Sequence, residues 1–332
     1  MTTTEDAVDV EALVTGVLAR DVASLGRAVT LVESRAARHR PAADELLARL
    51  SEHAGGAIRI GITGVPGVGK STFIDALGTW LVKERNLDVA VLAVDPTSTR
   101  TGGSILGDKT RMAGLAMTGR SFIRPSPAAG TLGGVARATR ESMVVVEAAG
   151  FDVVLVETVG VGQSEVAVAA MVDTFLVLAL PGAGDTLQGI KKGVLELADL
   201  IAVNKADGDR RTAAEVAARD YRTALSIIQP ASDGWQPEVV LISALERLGL
   251  DELWDRLAAH RSALERSGLL DSRRREQQVR WLWELLEARL LDDFRGDRAV
   301  ASQIASVEQA VKDGTLPASA GAAQLLDRFR TP

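Results

Sequence analysis

Three features of the 332-residue chain predict an α/β fold with a doubly wound, mostly parallel sheet. Strand and helix signals alternate from residue 57 to about residue 245. The strand candidates are short, nearly continuous apolar runs, as expected of strands buried on both faces. At the first junction stands Gly64-Val65-Pro66-Gly67-Val68-Gly69-Lys70-Ser71-Thr72. It meets the pattern G-x-x-x-x-G-K-[ST] at every required position, between a β-rich run at 57–62 and a helical run at 73–81.

Composition narrows the class. Apolar residues make up 46% and charged residues 25%, which is ordinary for a soluble globular protein. The length calls for one large domain with appendages, or two domains. Abundant Ala, Val and Leu with few aromatics suits helices packed closely on a sheet. The net charge of −6 argues against nucleic acid as the main partner, because such binding draws most of its strength from neutralising phosphates. With no cysteine there is neither a disulfide nor a thiolate metal site, which fits a cytoplasmic protein. The start, Met1-Thr2-Thr3-Thr4-Glu5-Asp6, lacks the basic and apolar regions of a secretion signal. The most apolar stretch, 153–180, is interrupted by Glu157, Gln163, Glu165 and Asp173, so no membrane span is expected.

Residues 1–55 read as a helical extension. Val8, Val10, Leu13, Val14, Val17 and Leu18 recur near helical spacing, as do Leu25, Val29, Leu31 and Val32. Pro41 suits the first turn of a third helix over 42–50. Arg35, Arg38, His39 and Arg40 read as a solvated helix end. Residues 56–265 form the nucleotide domain, with strands expected at 58–62, 89–94, 122–124, 153–156, 174–180, 200–203 and 239–242. Leu250, Leu253, Trp254 and Leu257 mark the helix that follows. Residues 266–332 read as a helical arm. Arg273-Arg274-Arg275 is expected to be a solvated helix start. The stripe Val279, Leu282, Leu285, Leu286 and Leu290, widened by Trp281, Trp283 and Leu291, is apolar over more than one face, which marks core or interface.

The chemistry lies at the strand ends. In the glycine loop, backbone N–H groups curl round a polyphosphate with no Cβ in the way, and the next helix points its positive end at the same place. Lys70 is placed to bridge the β- and γ-phosphates and Ser71 to hold Mg²⁺. Asp95 ends the second strand before the polar loop 96–104, with Asp108 beyond it. That carboxylate is equally a Mg²⁺ partner or the start of an Asp-Pro turn. Glu157 ends the fourth strand in Glu157-Thr158-Val159-Gly160, the shape of a second metal-and-switch motif. The usual Asp is replaced by Glu, and Gly160 offers an N–H to the γ-phosphate. Small signalling GTPases carry a water-positioning Gln directly after that glycine. Here Val161 takes the place and Gln163 comes later, which predicts slow unaided hydrolysis.

Asn204-Lys205-Ala206-Asp207 follows the sixth strand. The Asp207 carboxylate accepts from guanine N1–H and the 2-amino group, and adenine has neither donor there. Lys205 lies along the base, and Asn204 ties this loop to the phosphate loop. Ser243-Ala244-Leu245, after the seventh strand, matches a second base loop. The ordered conjunction of all these motifs, each after a strand, selects GTP over ATP.

Together with the glycine-rich run 181–193, which includes Lys191 and Lys192, these motifs resemble the MeaB/ArgK family, GTPases associated with methylmalonyl-CoA mutase within the P-loop metallochaperone class. The match runs from about 57 to 245. The resemblance implies a cytoplasmic homodimeric GTPase that binds GTP or GDP with Mg²⁺. It implies protection of the adenosylcobalamin-dependent mutase and gating of its cofactor loading, with hydrolysis accelerated by that partner. It assigns phosphate binding to Gly67, Gly69, Lys70, Ser71 and Thr72. Asp95, Asp108 and Glu157 then line the Mg²⁺ and catalytic site, and Asn204, Lys205, Asp207, Ser243, Ala244 and Leu245 hold guanine. The loop 182–192 becomes an additional switch with Lys191 as a catalytic contributor; on the residues alone it reads as a glycine loop with solvated lysines. Residues 266–332 become the dimerisation arm. Two other readings share the phosphate loop: a nickel-delivery GTPase, which needs a ligand cluster that three scattered histidines do not suggest, and a scaffold that binds GTP without turnover.

Overall fold

The structure is a computed structural model and describes residues 8–94, 112–125, 132–158, 163–181, 192–228 and 234–330. Contacts divide the chain into two compact units, Met1–Arg275 and Glu276–Pro332.

In the first unit, β1 (Ile58–Gly64), β2 (Val89–Val94), β3 (Ser121–Arg124), β4 (Val153–Thr158), β5 (Thr174–Ala179), β6 (Leu200–Val203) and β7 (Glu238–Leu241) form one seven-stranded sheet. The order is β3-β2-β4-β1-β5-β6-β7, and every pairing is parallel. Each run expected to be a strand is one, within a residue or two at its ends. The apolar runs are continuous because both faces are covered. Leu92, Val94, Val154, Val156, Val177 and Ile201 face one core with α1 (Val10–Leu18), α2 (Val22–Glu33), α3 (Arg40–Ser51), α6 (Leu132–Ala148) and α9 (Arg211–Ile228). Ile60, Ile62, Val91, Leu155, Leu176 and Leu200 face the other, with α4 (Lys70–Glu84), α5 (Ala113–Ala116) and α10 (Leu250–Arg266). α7 (Gln163–Ala169) lies close over β1: a Cβ on Gly61 would stand 2.8 Å from Val168 Cγ1. The short α8 (Lys192–Leu195) precedes β6.

The amino-terminal helices carry their own start signals. The Asp9 side chain caps α1 at Ala12 N, and Asp21 caps α2 at Ser24 N. Charged pairs fasten these helices to the sheet layer. Arg20 donates to the carbonyls of Ala149 and Gly150 and pairs with Asp88, which Arg120 also holds. Asp88 is desolvated, yet Arg120 and Arg20 keep its carboxyl below the ordinary value. Arg124 reaches Glu33.

Two expectations of solvated arginines fail in part and for one reason, although Arg35, Arg38 and Arg275 are exposed as expected. Arg40 is not a free helix end: it pairs with Asp44 and, at 2.8 Å, with Glu141, whose side chain is fully buried. Burial pushes the Glu141 carboxyl up, opposed by Arg40 and Arg137. Arg273 and Arg274 open α11 (Leu269–Gly296). Arg274 donates to both oxygens of Asp173 at 2.8 and 2.7 Å and to the carbonyls of Gly55 and Ala57. Arg273 donates to the Asp173 carbonyl and lies 3.5 Å from Asp199. The Asp173 side chain is wholly buried just before β5 and also accepts from Arg59 N. Arg59 in turn holds buried Glu147 with two bonds, at 2.6 and 2.7 Å. His260 stands in the same layer, bonded to Thr174 Oγ1 at 2.8 Å; burial lowers its pKa, with Asp199 opposing. Asp173 is one of the acids that interrupt the apolar stretch 153–180, and its bidentate partner arrives about a hundred residues later.

The second unit holds the rest of α11, then α12 (Arg298–Lys312) and α13 (Ala318–Arg330). Asp297 caps α12, accepting from Ala299 N and Val300 N. α12 and α13 pack closely at Gly321, where a Cβ would stand 3.0 Å from Val307. Phe294 meets Phe329 edge-on at 5.3 Å between ring centres. Val279, Leu282, Trp283, Leu286, Leu290 and Leu291 remain exposed. Among the described residues, no helix is long and apolar enough to cross a membrane.

Arg274→Ala leaves the Asp173 carboxylate buried without its main partner. Losing one member of a buried pair costs about 3 kcal/mol or more. Urea unfolding should show that loss in the full chain, whereas Arg275→Ala should unfold like the parent.

Candidate functional site

β1 ends in the glycine loop because side chains do not fit its path. A Cβ on Gly64 would stand 2.6 Å from the Leu178 carbonyl of the neighbouring chain segment. Gly67 and Gly69 have φ of 80° and 96°, in the left-handed region where glycine is unstrained. Val68 is buried and pins the loop, Val65 is half-buried, and Pro66, Gly67 and Thr72 are exposed. Gly69 caps α4, so Lys70 and Ser71 are the first residues of that helix. Free N–H groups and the helix dipole meet here, an arrangement that favours an anion. Lys70 Nζ lies across the loop, donating to Gly64 O at 2.7 Å. Burial lowers its pKa, and the carboxylates of Glu157 and Glu165 oppose the shift.

Glu157, at the end of β4, meets α4: Ser71 Oγ donates to its Oε1 at 3.3 Å. A hydroxyl and one carboxylate are hard oxygen donors. They fit Mg²⁺, which keeps waters and takes substrate phosphates rather than demanding a full protein cage. Among the described residues, no group of three His, Cys, Asp or Glu is placed to hold a metal.

The base loops are joined to the phosphate loop through Asn204, at the end of β6. Its Nδ2 donates to Val68 O at 2.8 Å, and its Oδ1 accepts from Ala244 N at 3.0 Å. Lys205 takes a left-handed φ of 64° and turns its Nζ to Gly67 O at 3.0 Å. Ala206 N donates to Ile242 O, which brings the ends of β6 and β7 together. Ser243 Oγ then donates to Asp207 Oδ2 and accepts from Glu246 N. The Ser243 side chain thus orients the carboxylate assigned to guanine. Leu245 stays 77% exposed beside these polar groups.

The structure therefore gathers residues 64–72, Glu157, Asn204, Lys205, Asp207 and Ser243–Leu245 at the carboxyl ends of four strands, where ligands bind in such sheets. Asp95, Asp108, Gly160 and Lys191 lie outside the described residues, as does most of the loop 182–192. One further member belongs to none of the sequence motifs. Glu165, in the first turn of α7, is buried and close enough for its charge to act on Lys70. Its signal in the sequence is an acid set among Val166, Val168 and other apolar residues.

Comparison with known proteins bears on this arrangement. The family described as "Methylmalonyl Co-A mutase-associated GTPase MeaB" matches residues 25–299. A probable GTPase of Mycobacterium tuberculosis is 55% identical over 327 residues, covering 98% of this chain and 97% of that protein. GTPase ArgK of Escherichia coli is 48% identical over 309 residues, 93% of each. A crystal structure of an LAO/AO transport system kinase superposes with a TM-score of 0.74 at 39% identity, covering 98% of this chain and all of that one.

The expected role of Asp207 is to select guanine. Two charge-assisted hydrogen bonds at about 1.5–3 kcal/mol each would give GTP roughly a hundredfold or greater advantage over ATP. Calorimetry should show this, and Asp207→Asn should move the preference to xanthosine nucleotides. Equal GTP and ATP affinities in the parent protein would remove the base assignment.

Proposed function

The chain belongs to the MeaB family of GTPases, and from that premise we propose that it binds and hydrolyses GTP as a chaperone of an adenosylcobalamin-dependent methylmalonyl-CoA mutase, protecting the mutase and gating its cofactor loading. The observation that carries the nucleotide part is the Asn204 side chain, which joins the phosphate loop at Val68 to the base loop at Ala244. The family description supports the client.

In the proposed cycle, the loop 64–69 and the start of α4 receive the phosphates. Lys70 leaves Gly64 O to bridge the β- and γ-phosphates, and its desolvated ammonium regains a counter-charge. Ser71 and Glu157 would hold Mg²⁺, with Asp95 and Asp108 as further carboxylates for it. That ion supplies neutralisation of charge on the transferring phosphoryl group. Gly160 offers its N–H to the γ-phosphate. Asp207, oriented by Ser243, reads the base while Lys205 lies along it. Val161 stands where a water-positioning glutamine is usual, so turnover alone is slow. The mutase presses the loop 182–192 towards the γ-phosphate, and Lys191 delivers the missing cation. Such a delivered charge is worth roughly 10³–10⁵ in rate in the strongest cases.

The protein works as a cytoplasmic homodimer in this reading. The exposed stripe at Leu282, Trp283 and Leu286, with Trp281 and Leu285 beside it, is more apolar surface than a solvated helix carries. Removing residues 276–332 keeps Arg273 and Arg274 and should convert a dimer into a nucleotide-binding monomer by light scattering. A truncated protein that stays dimeric would refute the arm.

The function is tested by steady-state GTP hydrolysis of the parent protein and Lys191→Ala, each with and without the mutase. Similar basal rates are expected, with stimulation by the mutase lost in the variant. Full stimulation of Lys191→Ala would remove this lysine from the mechanism. Absence of stimulation in the parent protein would remove the mutase as its client.

A further inference from the structure

The ends of β1 and β4 flank the site, and they are not joined by backbone where it matters. The β1–β4 ladder runs from Ile58↔Val153 to Ile62↔Glu157 and stops. Beyond that point β1 stays paired with β5 as far as Gly64↔Leu178, and β4 stays paired with β2 as far as Val94↔Thr158. The two strands part, each held by its outer neighbour, at the level of the phosphate loop and Glu157. A side-chain hydrogen bond crosses there. Thr158 Oγ1 donates to Thr63 Oγ1 at 2.8 Å, and both residues are buried, at 0% and 1% exposure.

A buried hydroxyl costs free energy unless it is bonded, and two valines of similar shape would fill this space without that cost. What the hydroxyls supply is length. An O–H···O bond holds two atoms at about 2.7–2.8 Å, whereas apolar carbons in contact stand about 3.5–4.0 Å apart. The bond therefore draws the strand ends roughly 1 Å closer than methyl groups allow. Thr63 directly precedes Gly64, and Thr158 directly follows Glu157. Successive side chains alternate across a sheet, so Thr158 points away from α4 while Glu157 points to Ser71 on it. The contact between the threonines thus fixes, from the opposite face, how far Glu157 stands from Ser71.

We propose that the Thr63–Thr158 hydroxyl pair is a positioning clasp that holds the parting ends of β1 and β4 at the spacing where Glu157 meets Ser71, and so sets the affinity of the nucleotide-bound site for its divalent cation. This rests on the nucleotide reading above. Mg²⁺ demands near-ideal geometry at about 2.1 Å, so a displacement of the carboxylate falls on the cation. The phosphate loop is held independently of the clasp on its other side, where β1 stays paired with β5 through Gly64↔Leu178, and at Val68 by Asn204. Nucleotide affinity without the cation is therefore spared.

The test uses the full chain and a fluorescent GDP analogue, titrated in EDTA and again across a range of Mg²⁺ concentrations. Thr158→Val should bind the analogue in EDTA within about twofold of the parent and need about fivefold more Mg²⁺ for half of the cation's effect, the worth of one net hydrogen bond. Thr158→Ser keeps the hydroxyl and should restore the parental Mg²⁺ requirement. If Thr158→Val folds poorly because it strands the Thr63 hydroxyl, the double variant Thr63→Val/Thr158→Val removes both hydroxyls and should show the same shift. The clasp is overturned if the valine variants keep the parental Mg²⁺ requirement, if affinity falls equally with and without Mg²⁺, or if the serine variant behaves like the valine. A parent protein that binds no guanine nucleotide overturns the nucleotide reading itself, a result the variants cannot mimic.

Discussion

Asn204 has one amide and uses both ends of it. Its nitrogen donates to the carbonyl of Val68 in the phosphate loop, and its oxygen accepts from the N–H of Ala244 in the last base loop. Three loops from three strands therefore share one planar group. A Cβ on Gly69 would stand 3.1 Å from the same nitrogen, so the glycine and the asparagine are fitted to each other. The spacing between the loop at Val68 and the loop at Ala244 is set by this side chain rather than by loop sequence alone. Aspartate here would lose the donor, and any aliphatic residue would lose both bonds.

The two ends of the parallel sheet carry different kinds of polarity. At the carboxyl ends, glycine loops expose backbone donors beside short polar side chains. At the amino ends, Asp173, Asp199, Arg59, Glu147, Arg273 and Arg274 form a nearly closed set of charged bonds. The first arrangement accepts a ligand. The second is largely self-satisfied and holds the sheet, the entry to β1 and the start of α11 in fixed register. Asp199 shows how much such a carboxylate does: it accepts from Phe175 N and lies near His260 and Arg273, while its carbonyl accepts from Trp235 Nε1.

The strands and the nucleotide motifs are legible in the sequence because each is local. A run such as Val153-Val154-Leu155-Val156 announces a strand buried on both faces, and the glycine loop, Asn204–Asp207 and Ser243–Leu245 each occupy a few consecutive residues. The arginines are not legible. Arg40 and Arg274 look like surface residues at helix starts, and only the fold brings Glu141 and Asp173 to them across about a hundred residues. Thr63 and Thr158 are hidden for the same reason: each is an ordinary strand residue until the sheet order puts β1 beside β4. Glu165 sits between the cases, since an acid among valines signals something that the motif alone does not name.

The guanidinium of Arg274 bonds the carbonyls of Gly55 and Ala57, residues 219 and 217 positions earlier. A chain emerging from the ribosome therefore presents β1, the phosphate loop and even the guanine loops long before their foundation is complete. Until residue 274 arrives, Asp173 has no bidentate partner, and at the entry to β1 the Ala57 carbonyl has Arg261 but the Gly55 carbonyl still awaits Arg274. Loop closure over such a span is slow and is rewarded only at its end. The final turn of synthesis for this unit thus acts as a keystone, and every shorter nascent chain is an arch still on its scaffolding.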